Sequence, residues 1–345
     1  MATRKKTITV RDIADAAGVS PSTVSITLNN KGDKYRISKS TQARVHSVAK
    51  EFQFKSVAYS RRTARSTIEA PIICVFWEAH FYHGPLKEIF EGMMRYKKES
   101  GTDFAFAVHP YEGGNLSAMK RIIDLGIYHG YIVTGLSDKD EEFIMSVETE
   151  VPIVVFNRDV GNLSAVYIDN YSVGQSAATC LLDTAAVSLV CINPLIMHKN
   201  PGIRYAGFYD TCVKSGVPHT TIHTLYDQNT FEGGYSVAEK VVDSVQIPFG
   251  AFVSGDTMLA GFTKCLRDHN LVIPGDAFIV SYGNDSVSEI LTPTITSICP
   301  PTIDMGYDCI HMVDLLMKGL SVQGNVKKHE CILTYRESCP CPTTD

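Results

Sequence analysis

Residues 8–25 read ITVRDIADAAGVSPSTVS, and this stretch decides how the N-terminal part of the chain folds. Thr9 followed three residues later by an acid is typical of a helix start, because both side chains can accept backbone N–H groups of the first turn. Gly18 ends this helix with the backbone freedom that a tight turn needs. Ser20 and Pro21 begin a second helix, since serine is a preferred cap and proline fits the first position. The apolar face of the first helix is formed by Ile13, Ala14, Ala16 and Ala17.

A third helix is predicted from Ser38, as its cap, to about Phe52. Its inward positions carry Val45, Val48, Ala49 and Phe52. Three short helices with a tight turn between the first two form a helix-turn-helix unit, whose second helix enters the major groove of DNA. An ordinary three-helix cap on a larger domain is the alternative interpretation.

The charge of the chain is divided unevenly between its two ends. The 345 residues carry a net charge of −5, with 44% hydrophobic and 20% charged residues, which is a globular composition. Residues 1–70 contain seven Lys and seven Arg against five acids, so this segment is +9 and the remaining 275 residues are −14. A basic head on an acidic body favours binding of a polyanion. A solvated basic tail is the alternative.

Residues 8–25 resemble the DNA-binding head of the LacI/GalR family of bacterial repressors. The resemblance implies a head at residues 1–53, with hydroxyl side chains on phosphates and neighbouring residues reading bases. Many relatives carry Arg or another polar residue where this chain has Ile26, which can only touch a thymine methyl or pack. We therefore expect an unusual operator half-site. The expected DNA contacts of the head are Thr9, Ser20, Pro21, Ser22, Thr23, Ser25, Ile26, Asn29 and Tyr35.

Residues 54–69 correspond to the family's hinge, which becomes a short helix in the minor groove at the centre of the operator. Arg61 and Arg62 are the expected DNA contacts. Thr63 stands where relatives place a leucine that wedges a base step, so we expect weaker intercalation. One head reads only a half-site, which implies a homodimer on a pseudo-palindromic operator.

From residue 70 onward, apolar runs alternate with amphipathic stretches, which predicts doubly wound parallel sheets covered by helices. The remaining 275 residues or so are more typical of two lobes than of one. Order and spacing resemble the family's periplasmic-binding-protein-like core, with a small-molecule cleft between the lobes at the carboxyl ends of the strands. We expect crossings near residues 160–165, 289–295 and 321–326. The first lobe would then span about 70–161 and 293–322, and the second about 162–290 and 325–340.

The resemblance also indicates which residues line the cleft for a carbohydrate-like effector. Arg204 matches the family's ligand-binding arginine, whereas Gly283 replaces an Asp found in many relatives. Trp77 is either a stacking wall or a packed residue, and Asp256 either binds ligand or caps a helix. Asn157 and Arg158 suit hydroxyl or phosphate recognition, or else form a salt-bridge cluster. The other expected cleft residues are His80, Tyr82, His83, Thr134, Asn229, Gly255 and Asn284.

Other function classes are disfavoured by the sequence. No export signal and no apolar run of membrane length are visible, so we expect a cytoplasmic protein with ten reduced cysteines. A solute-binding protein of a transport system would share the body but not the head. An enzyme is the least favoured class, because neither G-x-S-x-G nor a P-loop occurs. We expect no catalytic residue, cofactor or metal site.

Overall fold

The structure is a computed structural model that describes residues 10–28, 32–33, 35–52, 70–79, 85–195, 199–283, 285–321 and 323–339, except for the side chains of Lys50, Asp256 and Asp285. The predicted hinge, residues 54–69, lies outside these ranges. Among the described residues, no helix combines the length and hydropathy needed to cross a membrane. The nine described cysteines are free thiols.

The head consists of three helices around one small apolar core: α1 (Val10–Ala17), α2 (Pro21–Leu28) and α3 (Lys39–Glu51). This confirms the three predicted helices. The Ser20 Oγ accepts the Thr23 N–H at 3.0 Å and the Ser38 Oγ accepts the Thr41 N–H at 3.2 Å, so both serines cap as expected. Ala16 was wrongly placed on the inner face, because it lies one position beyond the inward stripe and is exposed. The buried core residues are Ile13, Ala14, Ala17, Val24, Leu28, Val45 and Ala49.

The body contains two six-stranded sheets with helices between the strands. The described strands are β1 (Ile72–Glu78), β2 (Ala105–Tyr111), β3 (Gly130–Val133), β4 (Ile153–Phe156), β5 (Ser164–Ile168), β6 (Ser188–Pro194), β7 (Ile222–Asp227), β8 (Phe249–Val253), β9 (Ala277–Tyr282), β10 (Thr296–Cys299), β11 (Val326–His329) and β12 (Ile332–Thr334). The described helices are α4 (Leu86–Ser100), α5 (Lys120–Leu125), α6 (Asp138–Met145), α7 (Asn170–Leu182), α8 (Asn200–Lys214), α9 (Phe231–Ser244), α10 (Asp256–Asp268), α11 (Asp285–Ile290) and α12 (Thr302–Met317).

Strand order confirms the doubly wound architecture. The first sheet has the order β11-β5-β4-β3-β1-β2 and the second has the order β12-β10-β9-β8-β6-β7. In the second sheet the pairs β6–β7, β6–β8, β8–β9 and β9–β10 are parallel. The short β12 pairs with β10 and runs antiparallel to it. In the first sheet β3–β4, β4–β5 and β5–β11 are parallel. Parallel pairing places the carboxyl ends of the strands at one edge of each sheet.

The lobe limits expected from the sequence are wrong by several residues at each crossing. β5 pairs with β4 and β11 pairs with β5, so residues 164–168 and 326–329 belong to the first lobe. β10 pairs with β9, which places residues 296–299 in the second lobe. The crossings therefore lie between β5 and α7, between β10 and α12, and between β11 and β12. The sequence placed them at turn residues such as Gly161, which instead join two strands of one sheet.

Close contact between helix backbones recurs at three places in the body. A Cβ added to Gly207 on α8 would lie 2.0 Å from the Tyr171 carbonyl oxygen on α7, and one added to Gly174 would lie 1.9 Å from the Arg204 carbonyl oxygen. Real Cβ atoms do not approach backbone atoms this closely, so only glycine permits this contact. The same reciprocal arrangement joins α4 to α12 and α9 to α10, through the pairs Gly92/Gly306 and Gly234/Gly261.

Gly207→Ala should destabilise the body, because its methyl group would force α7 and α8 apart against a packed core. Overpacking of this kind costs about 1–3 kcal/mol. Urea denaturation followed by circular dichroism measures the change in free energy of unfolding.

Gly202→Ala is the matched control on the same helix, since a Cβ there meets no atom within 4 Å. It should be neutral or stabilise by up to about 1 kcal/mol through helix propensity. Equal destabilisation by both variants would contradict the close-contact explanation.

Candidate DNA-binding surface and effector-binding residues

The outer face of α2 carries the predicted DNA-contacting side chains. Pro21, Ser22 and Ser25 are exposed, and Ile26 is half-buried. These positions recur with a spacing of about four residues, so they share one face of the helix. The opposite face is fixed in the head core by Val24, Thr27 and Leu28. The arrangement presents small hydroxyl groups beside one aliphatic side chain, which suits phosphate bonding and contact with a thymine methyl.

Two further head residues have defined positions. Thr23 is half-buried, and its hydroxyl lies 2.9 Å from that of Ser20, so the cap and the predicted phosphate contact are linked. Tyr35 is 57% exposed in the loop between α2 and α3. The remaining predicted DNA contacts lie outside the described residues: Thr9, Asn29, Arg61, Arg62 and Thr63.

Arg204 is the centre of a buried polar cluster in the second lobe. The side chain lies on α8 and is 4% exposed. Its Nε donates to the Ser254 Oγ at 2.9 Å, its Nη2 to the Ser254 carbonyl oxygen at 3.3 Å, and its Nη1 to the Asn170 Oδ1 at 2.7 Å. The guanidinium lies 4.0 Å from the centre of the Tyr282 ring, which adds a cation–π contact. Ser254 and Tyr282 stand at the carboxyl ends of β8 and β9, where the sequence placed the cleft.

The first turn of α7, which carries Asn170, is fixed by its cap residue Asp169. Asp169 caps α7 by accepting the N–H groups of Tyr171 and Ser172, both at 3.1 Å. The Lys328 Nζ lies 3.1 Å from the Asp169 carboxylate. Although burial opposes it, the hydrogen bonds from Ser172 and the ion pair with Lys328 lower the pKa of Asp169. The cap therefore stays ionised at neutral pH and fixes Asn170, the next residue.

Asn229 and Gly255 lie next to each other at the same edge of the second sheet. A Cβ on Gly255 would be 2.8 Å from the Asn229 Oδ1. This Oδ1 is buried and has no hydrogen-bond partner in the described part of the chain. A buried, unsatisfied oxygen is costly unless another group donates to it. The pair therefore offers an unsatisfied acceptor at this edge of the sheet.

Gly283 follows β9 with a φ of 120°, a conformation that favours glycine. Its carbonyl oxygen accepts the Cys299 thiol at 2.7 Å. An aspartate at this position would be strained in this backbone. Asn284 and the side chain of Asp256 lie outside what the structure describes. Gly255, rather than Asp256, occupies the cap position of α10.

In the first lobe, Thr134 and Trp77 take packed positions. Thr134 is 3% exposed, and its hydroxyl donates to the Phe76 carbonyl oxygen at 3.2 Å, which ties the ends of β1 and β3 together. Trp77 is 8% exposed, which agrees better with a packed residue than with a stacking wall for a ligand. The loop residues His80, Tyr82 and His83 lie outside the described ranges.

Arg158 forms the ion-pair cluster that the sequence allowed as the alternative. Its Nε lies 3.2 Å from the Glu141 Oε1, and both side chains are largely buried. Burial lowers the pKa of Arg158, against the effect of the nearby carboxylates of Glu141 and Asp138. Asn157 has a φ of 59°, and its Oδ1 is buried without a described partner, as in Asn229.

Comparison with known proteins matches both parts of the chain. Residues 9–56 match the family described as "Bacterial regulatory proteins, lacI family", and residues 187–339 match "Periplasmic binding protein-like domain". The HTH-type transcriptional regulator DegA of Bacillus subtilis is 25% identical over 313 residues, covering 87% of this chain and 88% of DegA. The chain therefore joins a LacI-family DNA-binding domain to a periplasmic-binding-protein-like core.

Two solved structures agree with the fold. The Lac repressor dimer bound to operator and the anti-inducer ONPF has a TM-score of 0.69 at 18% identity, covering 97% of this chain and 100% of that one. The complex of the transcriptional regulator CelR with cellobiose has a TM-score of 0.67 at 23% identity, covering 96% of this chain and 99% of that one. Together with the match of residues 9–56 and the relative DegA, this fold supports a DNA-binding transcriptional regulator over a transport protein.

The sequence analysis missed several residues of this core. Asn170 and Ser254 were visible as polar residues next to predicted strands, but their bonds to Arg204 depend on which helices and strands become neighbours. Glu141 lies on α6, which the sequence did not predict. No local sequence pattern indicates that Glu141 pairs with Arg158.

Asn170→Ala should destabilise the regulator by about 1.5–3 kcal/mol, because it removes a charge-assisted hydrogen bond and leaves part of a buried guanidinium unsatisfied. Thermal unfolding of the full chain measures the loss. Thr179→Ala, an exposed position on the same helix, is the control and should change stability by less than about 0.5 kcal/mol. If the two variants unfold alike, Asn170 does not hold Arg204.

Proposed function

We propose that this LacI-family regulator is a cytoplasmic homodimer that represses transcription from a pseudo-palindromic operator, and that a small carbohydrate-like effector bound between the lobes controls its operator affinity. The observation that carries the effector part is the position of Arg204. The Arg204 side chain is almost fully buried, and its guanidinium contacts Ser254 and Tyr282 at the carboxyl ends of β8 and β9. The DNA part is supported by the hydroxyl face of α2 and by the +9 charge of residues 1–70.

The chemistry of the second lobe suits a polyhydroxylated ligand. Arg204 supplies a fixed donor group, and the Asn229 Oδ1 supplies an acceptor that is otherwise unsatisfied. A sugar hydroxyl both donates and accepts, so one ligand can use both groups. The cellobiose complex of CelR shows a ligand of this class in a relative of the same fold. Typical coupling between two such sites is about 1–3 kcal/mol.

The DNA contacts follow from the chemistry of the head and the hinge. On α2, Ser22 and Ser25 would bond phosphates, while Ile26 would contact a thymine methyl. Arg61 and Arg62 would enter the minor groove, with Thr63 as a weak wedge. The operator bases opposite Ile26 should therefore include a thymine.

Arg62→Gln should flatten the salt dependence of operator binding, because each lost phosphate contact removes about 0.9 from the slope of log K against log salt. Fluorescence anisotropy of the full chain on operator DNA measures the slope between low and physiological salt. Lys214→Gln, which removes an exposed charge from the body, is the control and should leave the slope unchanged. A slope insensitive to Arg62 would remove the hinge from the DNA interface.

Asn229→Ala should leave the free energy of unfolding nearly unchanged, because the truncated oxygen has no described partner to lose. The same change should weaken effector binding by about 1–3 kcal/mol, since the ligand loses a buried acceptor. A thermal-shift screen of sugars, nucleosides and phosphorylated metabolites identifies a ligand that raises the melting temperature. The test is then whether the shift shrinks in Asn229→Ala.

Asn115→Ala is the control for this experiment, because Asn115 is an exposed amide in the first lobe. It should keep the full ligand-induced shift. An Asn229 variant that also keeps the full shift would place the effector elsewhere.

A further inference from the structure

A group of charged and polar side chains joins the two lobes at the start of α8. The Lys199 Nζ lies 2.8 Å from the Asp138 Oδ1 and 3.2 Å from the Glu141 Oε2. Lys199 immediately precedes α8 in the second lobe, whereas both carboxylates lie on α6 in the first lobe. Beside this pair, the Asn200 Nδ2 donates to the Asn157 carbonyl oxygen at 3.1 Å, again from the second lobe to the first.

The first-lobe side of this contact is held in place. Glu141 forms ion pairs with Arg158 and with Lys199, and its side chain is 15% exposed. The Arg158 Nη2 also donates to the Leu136 carbonyl oxygen at 3.5 Å. Lys199 itself is 44% exposed. The acceptor is therefore fixed by its own lobe, and the lysine reaches it from across the crossing.

We infer that Lys199 and Asn200 form an interlobe latch, which holds the second lobe against Asp138, Glu141 and Asn157 of the first. These contacts exist only while the start of α8 lies beside α6, so they stabilise that arrangement relative to one in which the lobes have separated. A contact present in one of two arrangements shifts the equilibrium by its own free energy. The latch is distinct from the effector cluster, but it lies at the start of α8, the helix that carries Arg204.

The expected effect is modest and measurable. Ion pairs with an exposed partner typically change an equilibrium by up to about fivefold. Here one lysine meets two carboxylates, and Glu141 is largely buried by its own lobe, so we expect a two- to fivefold effect. Insofar as the proposed function couples the lobes to the operator, the latch should also tune operator affinity by a similar factor.

The first experiment tests the contact in the full chain. A carbodiimide joins an amine to a carboxylate in direct contact with loss of water, and peptide mass spectrometry locates the bond. We expect a link from Lys199 to Asp138 or Glu141 that disappears in Lys199→Gln. The contact between Lys264 and Asp268 on α10 serves as the internal standard. A linked standard without any link at Lys199 would overturn the latch.

The second experiment tests its consequence by charge reversal. Lys199→Glu should increase the radius of gyration of the full chain in small-angle X-ray scattering, because three carboxylates would then repel. Combining it with Asp138→Lys should restore the original value. Lys214→Glu makes the same charge change at the other end of α8 and should have no effect. Equal behaviour of the two single variants would show that Lys199 does not hold the lobes.

Neither experiment needs DNA or an effector. A negative result would therefore contradict the latch without contradicting the proposed function. Operator titration of the same variants then tests the coupling. We expect Lys199→Glu, but not Lys214→Glu, to change the operator Kd two- to fivefold. A changed radius of gyration with an unchanged Kd would support the latch and contradict the coupling between the lobes and DNA.

Discussion

The backbone contact between α7 and α8 is the constraint on which the second lobe depends. Gly174 and Gly207 let the two helices approach until carbonyl oxygens meet Cα atoms, a separation that any other residue would prevent. At this separation Asn170 reaches the guanidinium of Arg204, and the arginine in turn stacks on Tyr282. A small change in helix spacing would therefore remove a hydrogen bond and a stacking contact together. The packing of the lobe and the chemistry of its site rest on the same two glycines.

Much of the fold could be predicted because its elements have strong local patterns. The amphipathic stretch at residues 86–100 predicts a helix and the apolar runs at 153–156 and 249–253 predict strands, and these bounds agree with α4, β4 and β8. β11 reads VKKH and β7 is only half-buried, so neither shows the apolar run of a central strand. Both are edge strands, whose identity depends on a partner distant in sequence. The lobe crossings were misplaced for the same reason, because pairing rather than turn composition decides which sheet a strand joins.

Residues of the candidate site could be predicted only from their own type and the motif around them. Arg204 was expected from its motif, and the structure places it in a buried polar cluster. Its partners come from α7 and from two strand ends, and no local spacing indicates that these segments meet. Arg158 illustrates the converse, because its residue type suits ligand recognition while its actual partner, Glu141, lies on a helix without a clear sequence signal. In both cases the partners of the arginine come from segments that are distant in sequence.

The reciprocal glycine pairs have a consequence for the order in which the chain can fold during synthesis. α7 and α8 are consecutive helices, as are α9 and α10, so each of these pairs can form as soon as its second helix has left the ribosome. α4 must wait for α12, and the first sheet must wait for β11, near the end of the chain. Long-range contacts of this kind form slowly and leave apolar surface uncovered meanwhile. The lobe that begins first therefore stays incomplete through most of synthesis, and its unfinished sheet is a part of the nascent chain that needs protection from aggregation.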